Sequence, residues 1–160
     1  MSETTEQQSV INVRNALEAL GVTGEVRRLD DSARTAQQAA DGLGIEVGQI
    51  ANSLVFMADG APVLVMASGG HMVDTVQLAS ILEVSEVKKA NADQVRAATS
   101  FAIGGVSPVG HPKPLRTIVD IALSRYDEIW AAAGHPHYVF PTTYDELLRI
   151  TAGEAAEVGA

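Results

Sequence analysis

Between Gly104 and His111 the chain reads Gly-Gly-Val-Ser-Pro-Val-Gly-His, a run able to present several backbone N–H groups to one ligand. Glycine lets a backbone approach a ligand closely, and Pro108 fixes the direction of the turn. Donors displayed in this way suit the negative oxygen that develops when an ester or amide carbonyl is attacked. The same composition also serves a plain structural turn, and composition alone leaves both uses open. Gly104, Gly105 and Gly110 do not fit a dinucleotide fingerprint, and no lysine follows them as in a phosphate-binding loop, so nucleotide binding has little support.

The histidines are the next candidates. His135 and His137 stand two apart, which on a strand means one face, as a metal pair requires. Two ligands are too few, and His71 and His111 complete a site only if folding gathers them. The simpler use of His135-Pro136-His137 is a corner whose rings bond to backbone. Ser107 and His111 resemble a nucleophile and its base, but a serine triad needs a buried acid oriented on the imidazole and is recognised by geometry, not spacing. The chain has no cysteine, which excludes a thiolate zinc site, a cysteine nucleophile and a disulfide framework.

These residues must be held by a single domain, because 160 residues with 46% in the apolar class fit one hydrophobic core. Val10, Val13, Leu17 and Leu20 recur at helical spacing, so Ser9 to Leu20 reads as an amphipathic helix stopped by Gly21. Val22 to Leu29 reads as an edge strand, Thr35 as the cap of a helix through Leu43, and Ile45 to Ala51 as a further helical turn. The strongest strand signal is the pair of apolar runs Ser53 to Ala58 and Pro62 to Ala67, joined by Asp59-Gly60, a hairpin dipeptide. Asp74 caps a helix to Leu82, Val84 to Lys88 forms a strand, and Asn91 with Gln94 opens a helix to Ala98. Phe101 to Ile103 is a brief strand before the irregular loop of residues 104–114. Strands follow at Leu115 to Val119, Ile129 to Ala133 and Tyr138 to Phe140, with a turn at Ile121 to Tyr126 and a chain break at Gly134 to Pro136. Thr143 with Glu146 starts a closing helix through Ile150. Hairpins mixed with single helices predict an α/β fold with a mixed sheet curling around a core rather than a doubly wound one. The expected boundaries are a loose polar leader at residues 1–8, the domain at 9–153 and a frayed tail at 154–160.

The formal charge is -9, from 11 Lys plus Arg against 20 Asp plus Glu, the wrong sign for binding nucleic acid by phosphate neutralisation. DNA is therefore not expected as a partner. A local patch from Arg27, Arg28, Lys88, Lys89, Arg96, Lys113 and Arg116 can still meet one end of an RNA. No secretory signal and no run of about 18 apolar residues is seen, so the expectation is a cytoplasmic protein without membrane contact.

Three stretches resemble the YbaK family, whose members are similar to the editing insertion domain of prolyl-tRNA synthetase. They are the hairpin from Ser53 to Gly60, the run from Ala90 to Thr99 leading into Gly104 to His111, and the closing Tyr144 to Thr151. The resemblance spans about Val10 to Gly153. It implies a barrel-like mixed sheet, and it implies that Gly104, Gly105, Val106, Ser107 and Pro108, which fit the family's Gly-x-x-x-Pro loop, hold the carbonyl end of an aminoacyl ester. It also implies the activity: hydrolysis of tRNA carrying a small wrong residue, such as alanine or cysteine on tRNA for proline. An oriented water or the substrate's own groups would do the cleavage, with no metal or cofactor. The implied partners are the aminoacyl-tRNA acceptor end and a synthetase such as prolyl-tRNA synthetase.

The substrate-binding candidates are Asn52, His71, Gly110, His111, Gly134, His135 and His137. Family members commonly have lysine where this chain has Asn52, which offers a donor and an acceptor but no charge. Hence the alternatives: a binding module that has lost hydrolysis, or a metal hydrolase built on the four histidines. Discrimination is expected from a small apolar pocket walled by Ala102, Ile103, Val106, Ala133 and Val139.

Overall fold

The hairpin sets the frame of the computed structural model, which describes residues 2–33 and 35–160. Asp59 and Gly60 both have positive φ (47° and 85°), the two-residue turn whose twist matches its strands. Strands β2 (Ile50–Ala58) and β3 (Ala61–Ser68) therefore pair without interruption from Ala58↔Ala61 to Ala51↔Ser68. The Asp59 carboxylate also accepts from the amides of Ser85 (3.0 Å) and Glu86 (2.9 Å), which brings β4 (Val87–Lys89) against the end of β2.

The remaining strands are β1 (Arg27–Arg28), β5 (Arg116–Asp120), β6 (Ile129–His135), β7 (Tyr138–Thr142) and β8 (Glu154–Ala156). Together the described strands make an eight-stranded mixed sheet in the order β1-β7-β6-β2-β3-β5-β8, with β4 pairing β2 off that path. Among the described residues five helices flank it: α1 (Ser2–Ala19), α2 (Ala36–Leu43), α3 (Thr75–Leu82), α4 (Ala92–Thr99) and α5 (Tyr144–Thr151). The mixed α/β class expected from the sequence is what the structure has.

Local chemistry explains the helix ends. Thr35 with Gln38 and Asn91 with Gln94 form reciprocal capping boxes, and Asp74 accepts from the amides of Val76 and Gln77. At α5 the Thr143 hydroxyl caps Glu146, but the Glu146 carboxylate turns to the Thr142 hydroxyl (2.7 Å) instead of the cap amide. Val10, Val13 and Leu17 bury the stripe of α1, and Val13 and Leu17 join the main core with Phe140, Leu64 and Leu147. A second cluster, with Phe56, Leu78, Ile118 and Val158, lies under α3.

Several expectations are corrected. Helix α1 begins at Ser2, ahead of Ser9, and the edge strand expected at Val22 to Leu29 is reduced to Arg27–Arg28. Phe101 to Ile103 is not a strand: Ser100 is left-handed (φ 69°), and Gly105 N–H bonds to Ala102 O (3.0 Å), so the chain turns there. The break placed at Gly134 lies within β6, which runs to His135 through an irregularity between Ala132 and His135. The residues after Gly153, expected to fray, add β8 parallel to β5. Val158 is fully buried, and the amides of Met72 and Asp74 bond to the carbonyls of Ala160 and Val158. The tail's small residues hid a strand whose partner lies far away in sequence. Val158→Ala should then cost about 1 to 3 kcal/mol, as removal of buried methyls does, read as a lower denaturation midpoint.

Candidate active site

The long β2 is shared by two neighbours on its outer edge. Its first residues pair with β6 (Ile50↔Trp130, Ala51↔Ala131) and its last with β4 (Phe56↔Lys89 to Ala58↔Val87). A cleft of about 110 Å³ opens at the β6 end of this edge. Ile50, Ala51, Asn52 and Ser53 line it from β2, Gly104 from the loop and Pro136 from the β6–β7 corner. Thr35, Ala36 and Ala39 close it from α2, with Ala33, Trp130, Ala131, Ala132 and Val139 as the remaining wall.

The loop reaches this place because glycine allows it. A Cβ on Gly105 would lie 2.8 Å from His135 Cα and 3.0 Å from Pro136 Cδ, so loop and corner are in backbone contact. Of the five loop residues singled out, Gly104 is exposed and lines the cleft, whereas Gly105, Val106, Ser107 and Pro108 are buried. Gly105 N–H is committed to Ala102 O, which leaves Gly104 as the loop residue facing the cleft. The Ser107 hydroxyl is fully buried and accepts from Val109 N (3.2 Å), a turn-stabilising role.

The other candidates are dispersed. Gly110 and His111 face a different hollow, lined also by Leu20, Pro114 and Ile150. His111 Nε2 lies 2.7 Å from Ser107 O and its ring meets Phe101 edge-on, so it ties the loop to itself. Gly134 packs on α1, where a Cβ would lie 2.8 Å from Ser9 O. His135 accepts the amide of His137 on Nδ1 (3.1 Å), and His137 Nδ1 is 3.6 Å from Asp31.

His71 is 2.9 Å from the buried carboxylate of Asp120, which also accepts from the amides of Ser68 (3.1 Å) and Ala122 (2.9 Å). The Ser68 hydroxyl donates to Gly48 O (2.7 Å), so Asp120 braces the 3-10 turn at Val47–Gln49 that leads into the cleft strand. Among the described residues no group of three or more potential metal ligands forms, and of the four histidines His135 and His137 touch each other while His71 and His111 bond elsewhere.

Two sequence readings of the wall change. Ala102 and Ile103 are exposed, and Val106 and Ala133 belong to the main core; Val139 alone of the expected five lines the cleft. Ala132 pairs with Val139 and lines the cleft with it, whereas Ala133, beyond the start of the β6 irregularity, is fully buried in the main core. The residues missed were Ala33, Ala36 and Ala39, whose spacing of three was the available signal. Three of the expected patch cations are ion-paired on separate strands or their flanks: Arg28 with Asp31 (2.7 Å), Lys88 with Glu86 (3.4 Å) and Arg116 with Glu154 (3.1 Å). No described helix is long and apolar enough to cross a membrane.

Residues 30–150 match the aminoacyl-tRNA editing domain. A solved structure provisionally described as a trans-editing enzyme for prolyl-tRNA synthetase is 39% identical, with a TM-score of 0.90 over 95% of this chain and 97% of the other. EbsC of Enterococcus faecalis, provisionally named a Cys-tRNA(Pro)/Cys-tRNA(Cys) deacylase, is 28% identical over 78% of this chain and 76% of its own. Proline–tRNA ligase of Bacillus licheniformis is 29% identical over 74% of this chain, a match that covers 21% of the ligase.

Two measurements test the loop. Gly105→Ala should lose about 1 to 3 kcal/mol of stability, because its Cβ meets backbone that cannot give way, whereas Gly104→Ala has ordinary clearance to Pro136 (3.6 Å) and bears only its positive φ. Burial lowers the His111 pKa against the opposing bond to Ser107. The unfolded chain therefore takes up the proton first as pH falls. The contribution is complete above the ordinary value of about 6.5 and declines below it. Between about pH 7 and pH 5 the denaturation midpoint should fall further for the natural chain than for His111→Phe.

Proposed function

The chain belongs to the aminoacyl-tRNA editing domain family, and from that premise we propose that it hydrolyses the ester joining a wrongly attached small amino acid to its tRNA. The observation that carries this reading is the convergence of Asn52, Gly104 and Pro136 on one small cleft with six alanines in its wall. An incoming water adds to the ester carbonyl carbon and gives up a proton, the carbonyl oxygen takes the negative charge, and the bond to the ribose oxygen then breaks as that oxygen receives the proton the water released, leaving the free amino acid and the ribose hydroxyl. The loop at Gly104 stabilises the charged oxygen through its main chain, and Asn52 orients water or substrate by hydrogen bonding. Asn52 supplies no charge, so its part is positional.

Specificity follows from size. A single apolar pocket separates side chains differing by one methylene by only about 1 to 3 kcal/mol, so a synthetase for a small amino acid needs a second, smaller sieve. Ala33, Ala36 and Ala39 leave room for a methyl or similar group and exclude branched chains. The acidic net charge of -9 gives weak intrinsic affinity for RNA, and we assign presentation of the substrate to a synthetase. The similar stretch within a proline–tRNA ligase supports that assignment.

The test is the initial deacylation rate for alanyl, cysteinyl, seryl, prolyl and leucyl esters on one tRNA. Alanyl hydrolysis at least tenfold faster than leucyl is expected, and equal rates would overturn the sieve. Ala39→Leu should lower alanyl hydrolysis at least tenfold by filling the cleft. Ser107→Ala should lose less activity than Gly104→Ala, because the hydroxyl serves a buried turn; a trapped acyl adduct on Ser107 would reverse this assignment. Silence of both the natural chain and Asn52→Lys, with retained ligand binding, would identify a binding module instead.

A further inference from the structure

The split edge of β2 leaves one residue without a neighbour. Val55 C=O accepts from Ala90 N (3.1 Å) and Asp59 N–H donates to Glu86 O (2.9 Å), so the odd-numbered residues of β2 point their peptide groups away from β3. The register with β3 is continuous from Ala51 to Ala58, so no bulge inverts that alternation. Ala51 points the same way and meets β6, whose pairing with β2 ends there at Ala131. Ser53 lies between the end of the β6 ladder and the start of the β4 ladder. Its N–H and C=O both face the gap, and neither has a partner among the described residues. The Ser53 hydroxyl does not cover them, because it is turned to Met66 Sδ (3.2 Å). Ser53 is also a wall of the cleft.

We infer that the main-chain N–H and C=O of Ser53 bind the substrate's aminoacyl group as if it were one residue of β-strand. Within an antiparallel pair, two opposed residues exchange both N–H···O bonds. An α-amino acid ester carries an ammonium donor and a carbonyl acceptor on a single carbon, the same disposition as a strand residue. Its ammonium donates to Ser53 C=O, and its carbonyl oxygen accepts from Ser53 N–H. The sheet thus recognises the part common to all α-amino acids by strand addition, while the alanine-lined wall reads the side chain. The group bound is an α-amino ester with a free amine, and its identity as an aminoacyl-tRNA rests on the deacylase reading.

The first test uses an amide-linked alanyl-adenosine, which cannot be hydrolysed as an ester, titrated into the whole chain by NMR. The Ser53 amide proton should move downfield and become protected from exchange. A des-amino analogue, propionyl-adenosine, should bind at least tenfold more weakly. In parallel, Ser53→Pro removes an N–H that takes no part in the β3 ladder, a position on a strand edge where proline is tolerated. It should lower kcat/KM for the alanyl ester at least tenfold. A Ser53 amide that stays still while neighbouring cleft amides move, or equal binding of the des-amino analogue, overturns the proposal without touching the deacylase reading. A moving Ser53 amide in a chain inert toward every ester upholds the binding pair and removes the deacylase reading instead. Failure of the analogue to bind an active enzyme also overturns the proposal.

Discussion

A strand has two hydrogen-bonding edges, and most of this architecture follows from how the outer edge of β2 is divided. One edge is filled along its length by β3. The other is given to β6 over its first residues and to β4 over its last, in opposite chain directions. No single neighbour can run in both directions, so the sheet forks. A fork in an otherwise paired sheet is the place where polar main chain can be reached from outside without breaking the ladder, much as ligands gather at switch points of open α/β sheets. The cleft, the loop and the corner all collect there.

What keeps the fork from collapsing is contact elsewhere. The loop is pressed against the corner through Gly105, and the corner against α1 through Gly134. On the opposite flank Asp120 holds Ser68 and His71, and Ser68 in turn holds Gly48. A buried carboxylate is costly unless its oxygens are matched, and the three partners of Asp120 match them while tying the approach to the cleft strand to this flank. The site combines a rigid floor with a wall of small side chains.

Local features of this fold were legible in the sequence because each is decided within a few residues. Asp59-Gly60, Thr35 with Gln38 and Asn91 with Gln94 carry their own geometry and needed no tertiary partner. Asn52, the 104–111 loop and the 134–137 corner could be named from polar interruptions and the family likeness, and residues of all three line the cleft. The rest was not legible for a physical reason. Whether Ala133 or Ala132 faces the cleft depends on register across β6 and β7, and the roles of His71 and His111 depend on partners that only folding brings near. The Glu154 strand depends on an edge of β5 far away in the chain.

The two strands that end the order of the sheet are short ones. β1 has two residues, both arginines, and β8 has three, opening with Glu154. An exposed sheet edge is a template on which another chain can polymerise, and natural proteins blunt it with brevity and charge. The open main-chain groups of a two- or three-residue strand are too few to seed a ladder. A mixed sheet of this width is thereby protected from edge-to-edge fibre growth by the short strands at its margins.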